Sequence, residues 1–267
     1  MPNPLRLPPS HRALSAAAGL WFVVATLGQW AFAWFIVAFF TPPLISGDLP
    51  ALNDKPHITG YVPGDHVGNL QLLLHVYLGA AVTFAGVLQL VPALRRRWPA
   101  LHRWNGRLFL VAAVVATLSG FYLTLVRGSQ LNLASTISIS LNGVLILLFA
   151  ALAWRSARRR DFTAHRRHAL RAYLLVNGVW FLRIGMMLAG LGLSLFGYTL
   201  SYDSAVFVAI SVLSWIAPIA FLQLYLAAEA GSRHAFRYAV AALFVVLSLL
   251  TAAAGLAAAI FMWWPRL

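Results

Sequence analysis

The chain has 267 residues, of which 61% are hydrophobic and only 10% charged, where a soluble domain carries about 25% charged residues. That is too little polar surface to cover a water-soluble body, so the solvent is a bilayer; the absence of cysteine excludes disulfides, thiolate metal clusters, cysteine nucleophiles and covalently attached c-type haem. The net charge of +14 would suggest nucleic acid in a soluble protein, but here the arginines cluster between apolar runs, so they read as topogenic charges facing anionic lipid, with no nucleic-acid partner.

Met1 to Arg12 is a short basic arm. The apolar run Ala13 to Phe40 is too long for a signal-peptide core and predicts a retained first membrane helix, stopped by Pro42-Pro43. Residues 41–68 form the one sizeable polar connection, an irregular extracytoplasmic loop rich in proline and glycine. Its His57, Asp65 and His66 are metal-ligand types, yet no ligand spacing recurs and the segment reads as a solvated loop.

The second helix is predicted from about Asn69 to Val91, with Gln71, His75, Gly79, Gly86 and Gln89 on one face. Such a stripe of small and polar residues faces other helices, not lipid. The third helix spans about Trp104 to Val126 and the fourth about Ala134 to Trp154, with Asn142 near its middle. The fifth spans about His168 to Leu191 and carries Tyr173, Asn177, Trp180 and Arg183 along one side. The sixth, about Ser204 to Ala228, holds Pro218 as a kink, and the seventh runs from about Ala235 to Trp264, ending in an interfacial Trp263-Trp264 anchor.

Two basic hairpin loops organise this series. One contains Arg95-Arg96-Arg97 and His102-Arg103; the other contains Arg158-Arg159-Arg160 and His165-Arg166. Of the 20 basic residues, all but Lys55, Arg127, Arg183 and Arg266 fall on one side of a seven-span topology. The positive-inside rule then puts the amino terminus in the cytoplasm and the carboxyl terminus in the periplasm of a bacterial inner membrane.

No nucleophile elbow, zinc-protease motif, phosphate loop or dinucleotide fingerprint occurs, and no acid pair is placed for general acid–base work. Histidine is what remains. His102, His165 and His168 fall at nearly one depth, at the cytoplasmic ends of the third and fifth helices, where two imidazoles could hold a haem b iron. Interfacial histidines beside arginine are also often plain polar residues. His75, Asn142 and Arg183 fall at similar depth near the outer side, and a charged residue there faces a cavity and a partner. These three are expected to line one ligand cavity; arginine bonding to backbone carbonyls and Asn142 is the structural alternative.

At these residues the chain resembles the predicted bacterial membrane-protein family catalogued as domain of unknown function 2306. The resemblance runs from about His75 to Leu191. It is carried by His75, Gly79 and Gln89, by His102-Arg103 and Gly106-Arg107, and by His165-Arg166, Arg171, Tyr173 and Arg183. The aromatic and methionine usual after the last His-Arg pair are replaced by Arg167, His168 and Ala169. The resemblance implies a membrane bundle and marks His75, His102, His165 and Arg183 as positions of the pattern; it implies no established activity. The arrangement is also similar to that of two-haem membrane cytochromes, whose histidines pair at two depths, whereas the outer His75 has no histidine partner within the spans.

The expected fold is therefore all-α: a single integral membrane domain over residues 1–267, with seven transmembrane helices and a four-helix core over 69–191. The expected function is a haem-binding or quinone-linked redox membrane protein. The alternatives are a carrier or receptor for a small anionic or amphipathic ligand, with Arg183 as counter-charge, and a structural or assembly subunit without chemistry.

Overall fold

The computed structural model describes residues 8–53, 60–129 and 132–267; Lys55 and His57 of the polar connection lie outside them. All regular structure among the described residues is helical. Six helices are long and apolar enough to cross a membrane, and a bent pair supplies a seventh span if it crosses as one. The chain is thus a polytopic membrane helix bundle, as a bilayer demands of a backbone that must satisfy its own hydrogen bonds.

Helix α1 (Pro9–Ser46) is longer than expected. It passes Pro42 and Pro43 without stopping and ends only at Gly47, whose φ of 79° turns the chain. Proline removes a donor and crowds the carbonyl four residues back, a cost that membrane helices tolerate where neighbouring groups satisfy the freed backbone. At about 1.5 Å per residue its 38 residues reach roughly 57 Å, well beyond the hydrocarbon layer of about 30 Å.

Helix α2 (His66–Leu90) opens one turn earlier than expected, because Asp65 caps it by accepting from the Gly68 N–H at 2.8 Å. The first basic loop is not a loop. Pro92 starts a short helix α3 (Pro92–Arg97), and Pro99 starts α4 (Pro99–Phe121), which closes in a π-helical turn at Tyr122–Val126. Proline at the first helical position lacks only a donor that would have been unpaired anyway. Helix α5 (Leu133–Arg158) is capped by Asn132.

The fifth predicted span is two helices, α6 (Phe162–Val176) and α7 (Gly178–Ser194), bent by 51° at Asn177. The break is satisfied by amides: Asn177 Nδ2 donates to the Tyr173 carbonyl at 2.8 Å, and Asn142 Nδ2 to the Leu175 carbonyl at 3.2 Å. Helix α8 (Ala205–Ala230) carries Pro218 internally, and α9 (His234–Ala258) runs into a π-helical turn ending at Trp263.

Packing extends beyond the second to fifth spans. One buried cluster joins α2, α4, α5 and α6 through Val82, Phe109, Ile146 and Leu175. Others join α1 to α7 and α9 through Phe32, Trp180 and Ala254, and α1 to α8 and α9 through Leu14, Ala228 and Phe244. Polar ties cross the same seams: Asn105 Nδ2 to the Ala85 carbonyl at 2.9 Å, Trp215 Nε1 to Ser138 Oγ at 3.0 Å, and Ser10 Oγ with His234 Nδ1 at 2.8 Å. Between membrane helices such bonds are worth roughly 0.6 to 2 kcal/mol each.

Candidate functional site

The end of the bundle that holds the arginine clusters also holds a cavity of about 1500 Å³. Helix α6 packs on α5 and α8, and the cavity lies between the first turns of α6 and residues of α1, α4, α8 and α9. Its interior is apolar, with Trp21 and Phe22 of α1, Phe221 and Leu222 of α8, and Phe244 of α9. Its mouth is lined by guanidinium groups from three directions: Arg95 on α3, Arg103 on α4, and Arg158 and Arg160 at the α5–α6 turn. Tyr173 lies deeper, 95% buried by relative area, with its hydroxyl donating to Gln29 Oε1 at 2.5 Å. Gly86 permits this approach, since a Cβ there would stand 2.8 Å from the Tyr173 ring.

His102 and His165 both line this cavity. The structure therefore brings these two expected residues together, and they lie within electrostatic reach of one another. Both stand near a helix start: His102 is in the first turn of α4, and His165 in the first turn of α6. His165 Nδ1 is 3.0 Å from the Ala153 carbonyl, so that nitrogen carries the proton. His102 Nδ1 is buried without a hydrogen-bond partner among the described residues, as is Gln89 Nε2 on the same wall. His168 is not on the cavity; its ring stacks on Phe149 with centroids 5.9 Å apart.

The outer trio is dispersed among separate partners. His75 Nδ1 donates to the Ala116 carbonyl of α4 at 2.8 Å, in room made by Gly120, where a Cβ would come 2.9 Å from the imidazole. Asn142 faces the break at Asn177. Arg183, on α7, has Tyr202 and Arg266 as its electrostatic neighbours. None of the three lines the arginine-rich cavity or a smaller one of about 360 Å³ beside Met186 and Tyr202. Asp65 is committed to an ion pair with Arg127 at 2.9 Å. Among the described residues no group of three or more His, Asp or Glu is placed to hold a metal ion.

Three features escape the sequence reading. The break at Asn177 was signalled by the dipeptide Asn177-Gly178, a breaker pair inside an apolar run. Glu229 reads as a lone helix-end acid but accepts two bonds from Arg166, at 2.7 and 3.0 Å, tying α6 to α8 at the cavity mouth. Arg160 stands at φ 60°, a left-handed conformation that nothing in an arginine run announces.

A family model described as "Predicted membrane protein (DUF2306)" matches residues 72–226, more than half of the chain, and reaches past the resemblance read from the motifs to include most of α8. No curated protein and no solved structure matches the chain.

Proposed function

The chain belongs to the DUF2306 family of predicted membrane proteins, and we propose that it is a receptor or carrier for an amphipathic ligand that bears negative charge. The observation that supports this reading is the cavity itself: about 1500 Å³, apolar within, and rimmed by arginines at one end of the bundle. Apolar walls favour a hydrocarbon body, and guanidinium forks favour an oxyanion at the mouth. A plain surface charge cluster serving only topology needs no cavity behind it. By the positive-inside rule, the same proposal has seven spans, the amino terminus and the cavity mouth in the cytoplasm, and the carboxyl terminus outside, in a bacterial inner membrane.

The test compares oleate with oleyl alcohol, which share a chain and differ in charge. Oleate should raise the unfolding temperature of the protein in neutral-detergent micelles and oleyl alcohol should not. An equal response to both would remove the anionic part of the reading.

A second reading, haem b held by His102 and His165, is favoured by one contact. The Ala153 carbonyl fixes the His165 ring through Nδ1 and leaves Nε2 as a ligand, the outer-shell arrangement common at metal-bound imidazoles. Protein made in haem-sufficient cells should then show a Soret band that weakens in His102→Ala and in His165→Ala. A colourless folded preparation rejects this reading, and quinone-linked electron transfer falls with it.

A further inference from the structure

We propose that the ligand is a long-chain lipid with a phosphate-monoester head, its head at the arginine rim and its chain along α1, α8 and α9. The proposal rests on the amphipathic-anion reading and narrows it.

The charge balance of the rim selects the head. Among the described residues Glu229 is the one carboxylate on the cavity, and both its oxygens are taken by Arg166. Arg95, Arg103, Arg158 and Arg160 also line the cavity and have no ion pair among the described residues. They come from separate helices and a turn around one cavity. A carboxylate supplies one charge and two oxygens, enough for a single guanidinium fork. A phosphate monoester carries about −1.5 to −2 charge and three strong acceptor oxygens, enough for several donors at once. Gln89 and His102 stand on the same wall, with Gln89 Nε2 and His102 Nδ1 buried and without partners among the described residues.

The volume selects the chain. Sites for small metabolites occupy about 300–1,000 Å³, and this cavity is larger. Its apolar wall includes Trp21, Phe221, Phe244 and Leu247, and the polar tips of the aromatic residues beside them are spent within the protein: Trp21 N–H on Thr251 at 3.3 Å, the Tyr173 hydroxyl on Gln29 and the Tyr225 hydroxyl on Glu229. A free phosphate would leave that wall without a function.

The experiment places the full chain in phosphatidylcholine nanodiscs and measures binding of dioleoyl phosphatidate, dioleoyl phosphatidylglycerol, oleate and inorganic phosphate. Phosphatidate should bind at least tenfold more tightly than the other three. That preference should disappear in Arg103→Gln/Arg158→Gln and survive in Arg96→Gln/Arg97→Gln, which removes two arginines that do not line the cavity. If the first double variant fails to fold, competition of phosphatidate against Trp21 fluorescence in a chain with the other nine tryptophans replaced in turn carries the same decision. Oleate or phosphatidylglycerol binding as tightly as phosphatidate overturns the monoester head and leaves the amphipathic-anion reading intact. Inorganic phosphate competing at equal concentration overturns the lipid chain. Equal loss in both double variants shows a diffuse basic surface and overturns the site. No binding of any of the four overturns the proposal and the reading beneath it together.

Discussion

Replacing Arg160 with glycine should stabilise the protein while weakening its ligand. Arg160 closes the α5 helix in the left-handed region, φ 60°, with its own N–H bonded to the Ala157 carbonyl and the Asp161 N–H to the Ser156 carbonyl, at 3.1 and 3.0 Å. That is the position helices usually give to glycine. A residue with a Cβ pays about 1–2 kcal/mol to stand there. Glycine relieves this strain but loses about 0.4–1 kcal/mol through the greater freedom of its unfolded chain. The Arg160 side chain is exposed, so little packing is lost. The net expectation is a gain of roughly 0.5–1 kcal/mol, read as a higher unfolding midpoint in detergent. The control is Arg159→Gly, one residue earlier at φ −81°. It removes the same charge at an ordinary helical conformation, where glycine costs about 1 kcal/mol, and should lower the midpoint. If both variants move in the same direction, the argument from backbone strain is wrong. If Arg160→Gly is stabilised and binds anionic amphiphiles as well as the parent, the arginine is held there for some other reason.

Asp65→Asn keeps the cap on α2 but removes the partner of Arg127, whose side chain is 5% exposed; leaving a buried charge unpaired costs about 3–5 kcal/mol, and a loss under 1 kcal/mol in chemical unfolding would show that Asn69, which accepts from Arg127 at 2.8 Å, suffices alone. Arg183→Leu should leave the unfolding midpoint unchanged or raised and anion binding unaffected, since Arg183 lies off the arginine-rich cavity; a folded variant that no longer binds would move the site to the outer end. Alkaline phosphatase fused at Leu267 should be active and fused after Arg160 inactive, and the opposite pattern inverts the orientation.

Much of the bundle is legible in the apolar runs, because a bilayer leaves the backbone no alternative to helix. The meeting of His102 and His165 was legible for a related reason: the third and fifth spans run in the same direction, and each histidine lies in the first turn of its span. His168 shows the limit of counting. It is one turn from His165 on α6, yet its ring packs on Phe149 of α5, and only the rotation of the two helices decides which histidine meets the cavity. The outer trio shows the same limit: counting puts His75, Asn142 and Arg183 at one depth, but in the structure each faces a different neighbour. Prolines misled in both directions. Pro42 and Pro43 signal a stop in the sequence yet are helical, while Pro92 and Pro99 signal a loop yet each begins a helix. The cavity was not legible at all, since a void is a property of where helices fail to touch.

The bend at Asn177 has a mechanical consequence. Helix α6 is 15 residues long, a rigid arm of roughly 22 Å at 1.5 Å per residue, pivoting where two amides replace regular backbone bonds. Its far end carries His165 and is tied to α8 by the Arg166 link to Glu229. By that arm length, a change of about 10° in the bend would carry the far end through about 4 Å, close to the width of one side chain. The angle held by two hydrogen bonds in the middle of the bundle, together with the packing of α6 on α5 and its tie to α8, therefore sets the width of the mouth at the far end.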